Sequence, residues 1–300
     1  MIKIVYLGSP DFSANFLEKL ICLHRETLAK WCHSETNEVS DRISNCPIEI
    51  IAVLTQPDRP VGRKKILTPT PVKLVAQKHH IPVYEDLNEL NNIDFDMGLV
   101  FAYSKFIPKQ LLDKPKYGFL NIHPSLLPLY RGPSPIAYPL INGDKKTGVT
   151  IIKLDEKMDH GDIVAQEEIE IDRNIKRPEL ETQLTDLALS VILSLERQTF
   201  RAKNPLLKSV PQDHSKASNT KLLTKEMGYV EYKIMKMENE NAKKIYDLYR
   251  GLYPWPGIWT KINVKGVEKR MKITELELID NKLVIKKVQI EGENIKPYKD

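Results

Sequence analysis

Tyr117-Gly-Phe-Leu-Asn-Ile-His-Pro-Ser-Leu-Leu-Pro128 is the stretch on which the reading of this chain turns. Its apolar lead, Tyr117–Leu120, predicts a strand. Side chains alternate across a strand, so Asn121 and His123 project on the same side. Pro124 cannot continue a central strand and ends it. An amide donor and an imidazole are thereby held side by side at a strand's carboxyl end, a placement suited to polarising a carbonyl.

Outward from that strand the pattern alternates. Ile2–Leu7 reads as a first strand rather than a leader, followed by a helix through about Leu23 that Ser9 or Asp11 can cap. Ile48–Thr55 is a continuous β-rich run of the kind buried on both faces of a parallel sheet. Further strands are expected at Ile81–Val83, Phe95–Phe101, Thr147–Leu154 and Ile163–Ile171, with helices at Pro71–His80, Pro108–Leu112, Ser134–Asn142 and Pro178–Arg201. This alternation predicts a doubly wound, mostly parallel α/β sheet, Rossmann-like, over residues 1–203. Ligands of such sheets bind beyond the carboxyl ends of the strands, where Asn121 and His123 stand.

After Lys203-Asn-Pro205 the texture changes. Residues 204–218 are polar and Pro-containing, as a linker is. Residues 219–300 carry expected strands at Gly228–Tyr232, Trp259–Val264, Met271–Ile279 and Lys282–Ile290, with one helix at Asn241–Leu252, and suggest a small OB-like β-barrel.

Hydrophobic residues are 41% and charged residues 28%, ordinary for a globular protein. No apolar run is long enough to span a bilayer, so a cytoplasmic protein without a membrane partner is expected. Cys22, Cys32 and Cys46 form no Cys-x-x-Cys pair, and with His24 or His33 they fit no common zinc spacing, so neither disulfide nor metal is expected. His79-His80 reads as an exposed helix end. The net charge is +5, and residues 209–300 hold 18 Lys and Arg against 13 Asp and Glu, so the whole excess lies there. That is either a solvated basic surface or a face for a polyanion.

Gly8-Ser9 lacks the rest of a G-x-G-x-x-G set, and Walker A, H-E-x-x-H and G-x-S-x-G are absent. Asp159, in Met158-Asp-His-Gly-Asp162, lies between two expected strands. Alone it reads as a turn residue. Beside Asn121 and His123 it completes an amide, an imidazole and a carboxylate, a set suited to acyl transfer.

The run Asn121–Gly132 (Asn-Ile-His-Pro-Ser-Leu-Leu-Pro-Leu-Tyr-Arg-Gly), with Gly148-Val-Thr-Ile151 and Met158–Asp162, resembles the folate-dependent formyltransferases, most closely their methionyl-tRNA formyltransferase branch. Gly8-Ser-Pro-Asp-Phe12, Thr55–Lys65, Leu222–Glu226 and Leu252-Tyr-Pro-Trp-Pro-Gly257 support the narrower likeness, which covers nearly the whole chain. The resemblance implies 10-formyltetrahydrofolate as donor, no metal, and initiator methionyl-tRNA as partner of a monomer. It implies Asn121, His123 and Asp159 as the catalytic triplet and Ser125, Leu126, Leu127 and Pro128 as the folate-contacting segment. It assigns the basic loop with Arg59, Arg63, Lys64 and Lys65 to the tRNA end, which from charge alone is a solvated turn. Residues 24–46 exceed the usual connection and are expected as a surface insertion with a helical piece at Thr27–His33. An amino-sugar nucleotide formyltransferase and a tRNA-binding module with a vestigial catalytic domain remain open alternatives.

Overall fold

The computed structural model describes residues 1–32, 48–62, 64–197, 208–235 and 240–299. Arg63, the 33–46 part of the expected insertion and residues 204–207 of the expected linker lie outside them. The chain runs β1 (Ile2–Gly8), α1 (Asp11–Cys32), β2 (Ile48–Leu54), β3 (Arg59–Val61), β4 (Ile66–Thr68), α2 (Pro71–Lys78), β5 (Val83–Tyr84), β6 (Met97–Phe101), α3 (Lys109–Leu112) and β7 (Phe119–His123). There follow α4 (Ala137–Asn142), β8 (Lys146–Lys153), β9 (Ile163–Glu170), α5 (Arg177–Leu195), α6 (Tyr232–Met235), α7 (Glu240–Leu252), β10 (Ile258–Val264), β11 (Val267–Ile279), β12 (Lys282–Ile290) and β13 (Lys296–Pro297).

Seven strands form one sheet in the order β5-β2-β1-β6-β7-β8-β9. β5, β2, β1, β6 and β7 are parallel, and β7 pairs antiparallel with β8. This is the mostly parallel, doubly wound sheet that the alternation predicts. Both faces of β1 are buried, which is why it is apolar almost throughout. Val5 and Leu7 pack with Ala52, Leu54, Val100 and Phe119. From the opposite face Tyr6 stacks on Phe16 of α1, with ring centroids 6.1 Å apart, and its hydroxyl donates to the Ser13 carbonyl at 2.8 Å.

α1 is longer than expected. It passes Leu23 without a break and runs to Cys32, so the part of the anticipated Thr27–His33 piece that lies within the described residues, 27–32, is its last turns. Residues 24–32 contain neither Gly nor Pro, and nothing in them stops a helix. Ser9 does not cap it. Its Oγ accepts from the Gln56 backbone at 3.2 Å and meets Thr55 Oγ1 at 3.3 Å.

The chain divides into two compact units: Met1–Leu129 with Gly148–Glu167 and Gln183–Ala217, and Tyr130–Thr147 with Glu168–Thr182 and Ser218–Asp300. The second is centred on a four-stranded antiparallel sheet, β10-β11-β12-β13, packed against α7 through Tyr246, Tyr249 and Leu252. Its two hairpins have two-residue loops, Lys265-Gly266 and Asp280-Asn281, with φ of 53° and 84°, then 47° and 61°. Successive positive φ values give the turn twist that suits paired strands. A strand expected at Gly228–Tyr232 does not form. A Cβ at Gly228 would lie 2.0 Å from the Gly257 carbonyl, so two backbones meet there, and a short 3-10 turn at Glu226–Gly228 leads into α6. Among the described residues no helix is long and apolar enough to cross a membrane.

Candidate active site

β7 is held on both sides. Asn121 pairs with Val100 of β6 and with Ile152 of β8, and His123 pairs with Thr150. Strand alternation therefore sets both side chains from a backbone that cannot slip. His123 is buried, with only 4% of its surface exposed. Asp159 comes from the turn between β8 and β9. Its Oδ1 accepts from Asn121 Nδ2 at 3.4 Å and lies 3.5 Å from His123 Nδ1. The amide, the imidazole and the carboxylate thus meet from two separate segments, within the first unit. Asn121 Nδ2 carries two hydrogens, so one can face Asp159 while the other faces a bound group.

Asp159 stands in the left-handed region, with φ of 49°. Asp tolerates that region better than most residues, but the position still needs support. Gln212 supplies it. This side chain is 5% exposed, and its Nε2 donates to the Asp159 carbonyl at 3.0 Å and to the Gly161 carbonyl at 2.7 Å. Beside it, Ile163 and Val210 exchange two backbone hydrogen bonds of 2.8 Å. His160 Nδ1 lies 2.6 Å from Asp155 Oδ2, and its ring stacks on His214 with centroids 4.0 Å apart. The segment after residue 208 therefore braces the Asp159 turn.

Ser125–Pro128 follows β7 directly. The Ser125 N–H donates to the His123 carbonyl at 2.9 Å, and Ser125 Oγ donates to the Leu129 carbonyl at 2.7 Å. Thr150 Oγ1 donates to the Ser125 carbonyl at 2.7 Å while accepting from the Leu127 N–H at 3.1 Å. Gln166 Nε2 donates to the Leu127 carbonyl at 2.9 Å. Ser125 and Leu127 are buried, whereas Leu126 and Pro128 keep part of their surface open. Ser125 thus ties the loop to itself, and apolar surface is what the loop presents.

The basic loop is a small hairpin, β3 and β4, not an irregular turn. Lys64 and Lys65 are exposed, and so are Val61, Ile66 and Leu67 at 57%, 62% and 64%. Arg59 is exposed but folds back, its Nη2 donating to Gln56 Oε1 at 2.9 Å. A solvated turn has no use for three open aliphatic side chains, and the hairpin therefore offers apolar as well as charged surface.

Sequence reasoning missed Gln166 and Gln212 as supports. Neither has a local signature: one is a polar residue on a strand and the other follows a proline in a polar stretch. Thr150 stands inside the Gly148-Val-Thr-Ile151 motif, and so was within reach.

Comparison with known proteins identifies the family of the chain. The formyl transferase family model matches residues 27–195, and the formyl transferase C-terminal domain matches residues 231–295. A methionyl-tRNA formyltransferase from Staphylococcus aureus is 33% identical over 288 residues, covering 93% of this chain and 81% of its own. One from Staphylococcus epidermidis is 35% identical over 276 residues, covering 89% and 78%. Among solved structures, a 4-N formyltransferase from Francisella tularensis superposes with a TM-score of 0.60 at 17% identity, covering 89% of this chain and 95% of that one. An N-formyltransferase from Helicobacter canadensis, in complex with folinic acid and dTDP-3-aminofucose, does so with a TM-score of 0.59 at 16% identity, covering 96% and 94%. At those identities the structural likeness concerns the fold.

Proposed function

This chain belongs to the methionyl-tRNA formyltransferase family, and from that premise we propose that it moves the formyl group of 10-formyltetrahydrofolate onto the α-amino group of initiator methionyl-tRNA. The observation that carries the chemistry is the meeting of Asn121, His123 and Asp159 at the carboxyl end of β7. The acceptor amine attacks the formyl carbon as a neutral nucleophile, and the carbonyl oxygen gains negative charge. The Asn121 Nδ2–H that does not face Asp159, together with an N–H of His123, stabilises that oxyanion. Asp159 orients the imidazole and accepts the proton that the amine loses, directly or through water. The bond from the formyl carbon to the folate N10 then breaks, and N10 leaves with the proton that Asp159 took from the amine, returned directly or through water. In this reading Ser125–Pro128 hold the donor, Leu126 and Pro128 lying against the flat face of its ring system.

The acceptor rests on the relatives and on the β3–β4 hairpin, whose Lys64 and Lys65 suit phosphates and whose Val61, Ile66 and Leu67 suit an unstacked base. The experiment is to offer labelled donor with initiator methionyl-tRNA, elongator methionyl-tRNA and amino-sugar nucleotides. Formylmethionyl-tRNA should form fastest with the initiator. Preferential formylation of an amino-sugar nucleotide would sink the proposal. A Lys64→Ala, Lys65→Ala pair should raise the KM for tRNA and flatten its dependence on salt, since counterion release scales with the phosphates contacted.

Gln212 acts in this scheme as a positioning residue for Asp159. Gln212→Ala should lower kcat by about 10- to 100-fold, the scale of a misplacement of up to about 1 Å, with the KM for either substrate little changed. Single-turnover formylation and steady-state kinetics separate the two. A rise in KM with kcat intact would give Gln212 another role.

A further inference from the structure

His79 does not lie at an exposed helix end. It is 8% exposed, and its Nε2 faces Glu18 Oε1 at 3.0 Å. Cys22, one helical turn after Glu18, points its Sγ at the same oxygen from 3.6 Å. Residues four apart share a helix face, so α1 supplies sulfur and oxygen together. α2 supplies the nitrogen from its end, where the His79 backbone N–H caps the helix through the carbonyls of Val75 and Ala76. One donor atom from each of the three lies within 4.8 Å of the other two.

We propose that Glu18, Cys22 and His79 form a zinc-binding site that clamps α1 to α2, with water completing the coordination. Ligand bonds of about 2.0 to 2.3 Å at tetrahedral angles place donor atoms about 3.3 to 3.6 Å apart. The two distances here, 3.0 and 3.6 Å, are close to such edges before any ion draws them in. Thiolate, imidazole and carboxylate are the donor set zinc favours over harder divalent cations. A thiolate and a carboxylate also match the charge of a dication, the thiol proton leaving to solvent. Lys78 Nζ lies 2.8 Å from the same Glu18 oxygen. It is a competing cation, but its side chain is 66% exposed and free to swing away.

The pattern is invisible in sequence because His79 is remote from the cysteines, which pair with no nearby histidine at zinc spacing. The site lies between two helices and serves to fix them.

Cobalt(II) and zinc(II), added to the metal-stripped full chain, provide the test. One cobalt per chain should bind with a thiolate-to-cobalt charge-transfer band and the strong visible absorption of tetrahedral cobalt, and zinc should abolish both. The metal should also raise Tm, as any ligand of the folded state does. Cys22→Ser and His79→Gln should lose the band and the Tm gain, while Cys32→Ser and Cys46→Ser keep them. Lys78→Gln removes the competing cation and should tighten cobalt binding by up to about fivefold, the scale of one exposed ion pair. That gain does not depend on whether the loss variants fold well. No charge-transfer band at saturating cobalt, or a band that survives Cys22→Ser, would overturn the site.

Discussion

Asn121→Ala lowers kcat by about 10²- to 10³-fold, corresponding to about 3–4 kcal/mol of lost transition-state stabilisation, if its amide is the donor to the formyl oxyanion. The effect falls on kcat because the donor is worth most when charge develops. Asn121 stands mid-strand with β6 and β8 holding its backbone on either side, so removing its amide leaves the sheet intact. Tm should therefore move little, and tRNA affinity should stay near that of the parent. Asp159→Ala should cost at least as much, because it removes the carboxylate common to Asn121 and His123 and the group proposed to receive the amine proton. The double variant should be scarcely slower than the worse single one, since residues acting as a unit do not contribute additively. Single-turnover formylation with initiator methionyl-tRNA, run beside thermal melts, reads all three. Full activity in both single variants would end this mechanism.

Much of this site was legible because it follows from local rules. Alternation along β7 puts Asn121 and His123 on one side whatever surrounds them, and Pro124 marks where the strand must stop. The order of apolar runs predicts the parallel sheet, and the sheet predicts the edge at which a ligand binds. What was not legible depends on contacts between distant residues. Gln212 supports Asp159 from 53 residues away, across a stretch that reads as linker. His79 is buried because α1 and α2 pack together, a fact that no local pattern near His79 contains. The end of α1 was misplaced for a different reason. Polar composition after Leu23 suggests a surface insertion with a separate helical piece, but the residues present there are adequate helix formers and no breaker intervenes before Cys32. At Gly228 the error ran the other way: apolar and aromatic neighbours suggested a strand where close approach of the Gly257 backbone demands a glycine in a turn.

Gly161→Ala tests whether the position of Asp159, rather than its mere presence, matters. Gly161 follows Asp159 by two residues and lies against the last residue of β8. A Cβ there would come within 1.8 Å of the Lys153 carbonyl oxygen and 2.9 Å of its carbon. Neither atom can rotate aside, because the Lys153 N–H is itself bonded to the Asp162 carbonyl at 2.9 Å, fixing the two backbones against each other. Relief requires the 159–161 turn to move by roughly 1 Å or more, the scale on which misplacement of a catalytic group costs about 10²-fold in rate. The turn also carries Asp159 at positive φ and receives both hydrogen bonds from Gln212, so the shift strains these as well. A stability loss of about 1–3 kcal/mol should accompany it. The expected result is a folded protein with lowered Tm, nearly normal tRNA affinity and kcat reduced by about two orders of magnitude, measured well below its melting temperature. Gly148→Ala provides the contrast. Its Cβ would meet the Glu167 carbonyl of β9 at 2.1 Å and Leu126 Cδ2 at 2.6 Å, so the disturbance falls on β9 and on the loop proposed to hold the donor. There the KM for the donor should rise more than kcat falls. If Gly161→Ala instead lost stability but kept its turnover per folded molecule, Asp159 would tolerate displacement, and the tight turn would serve the fold alone.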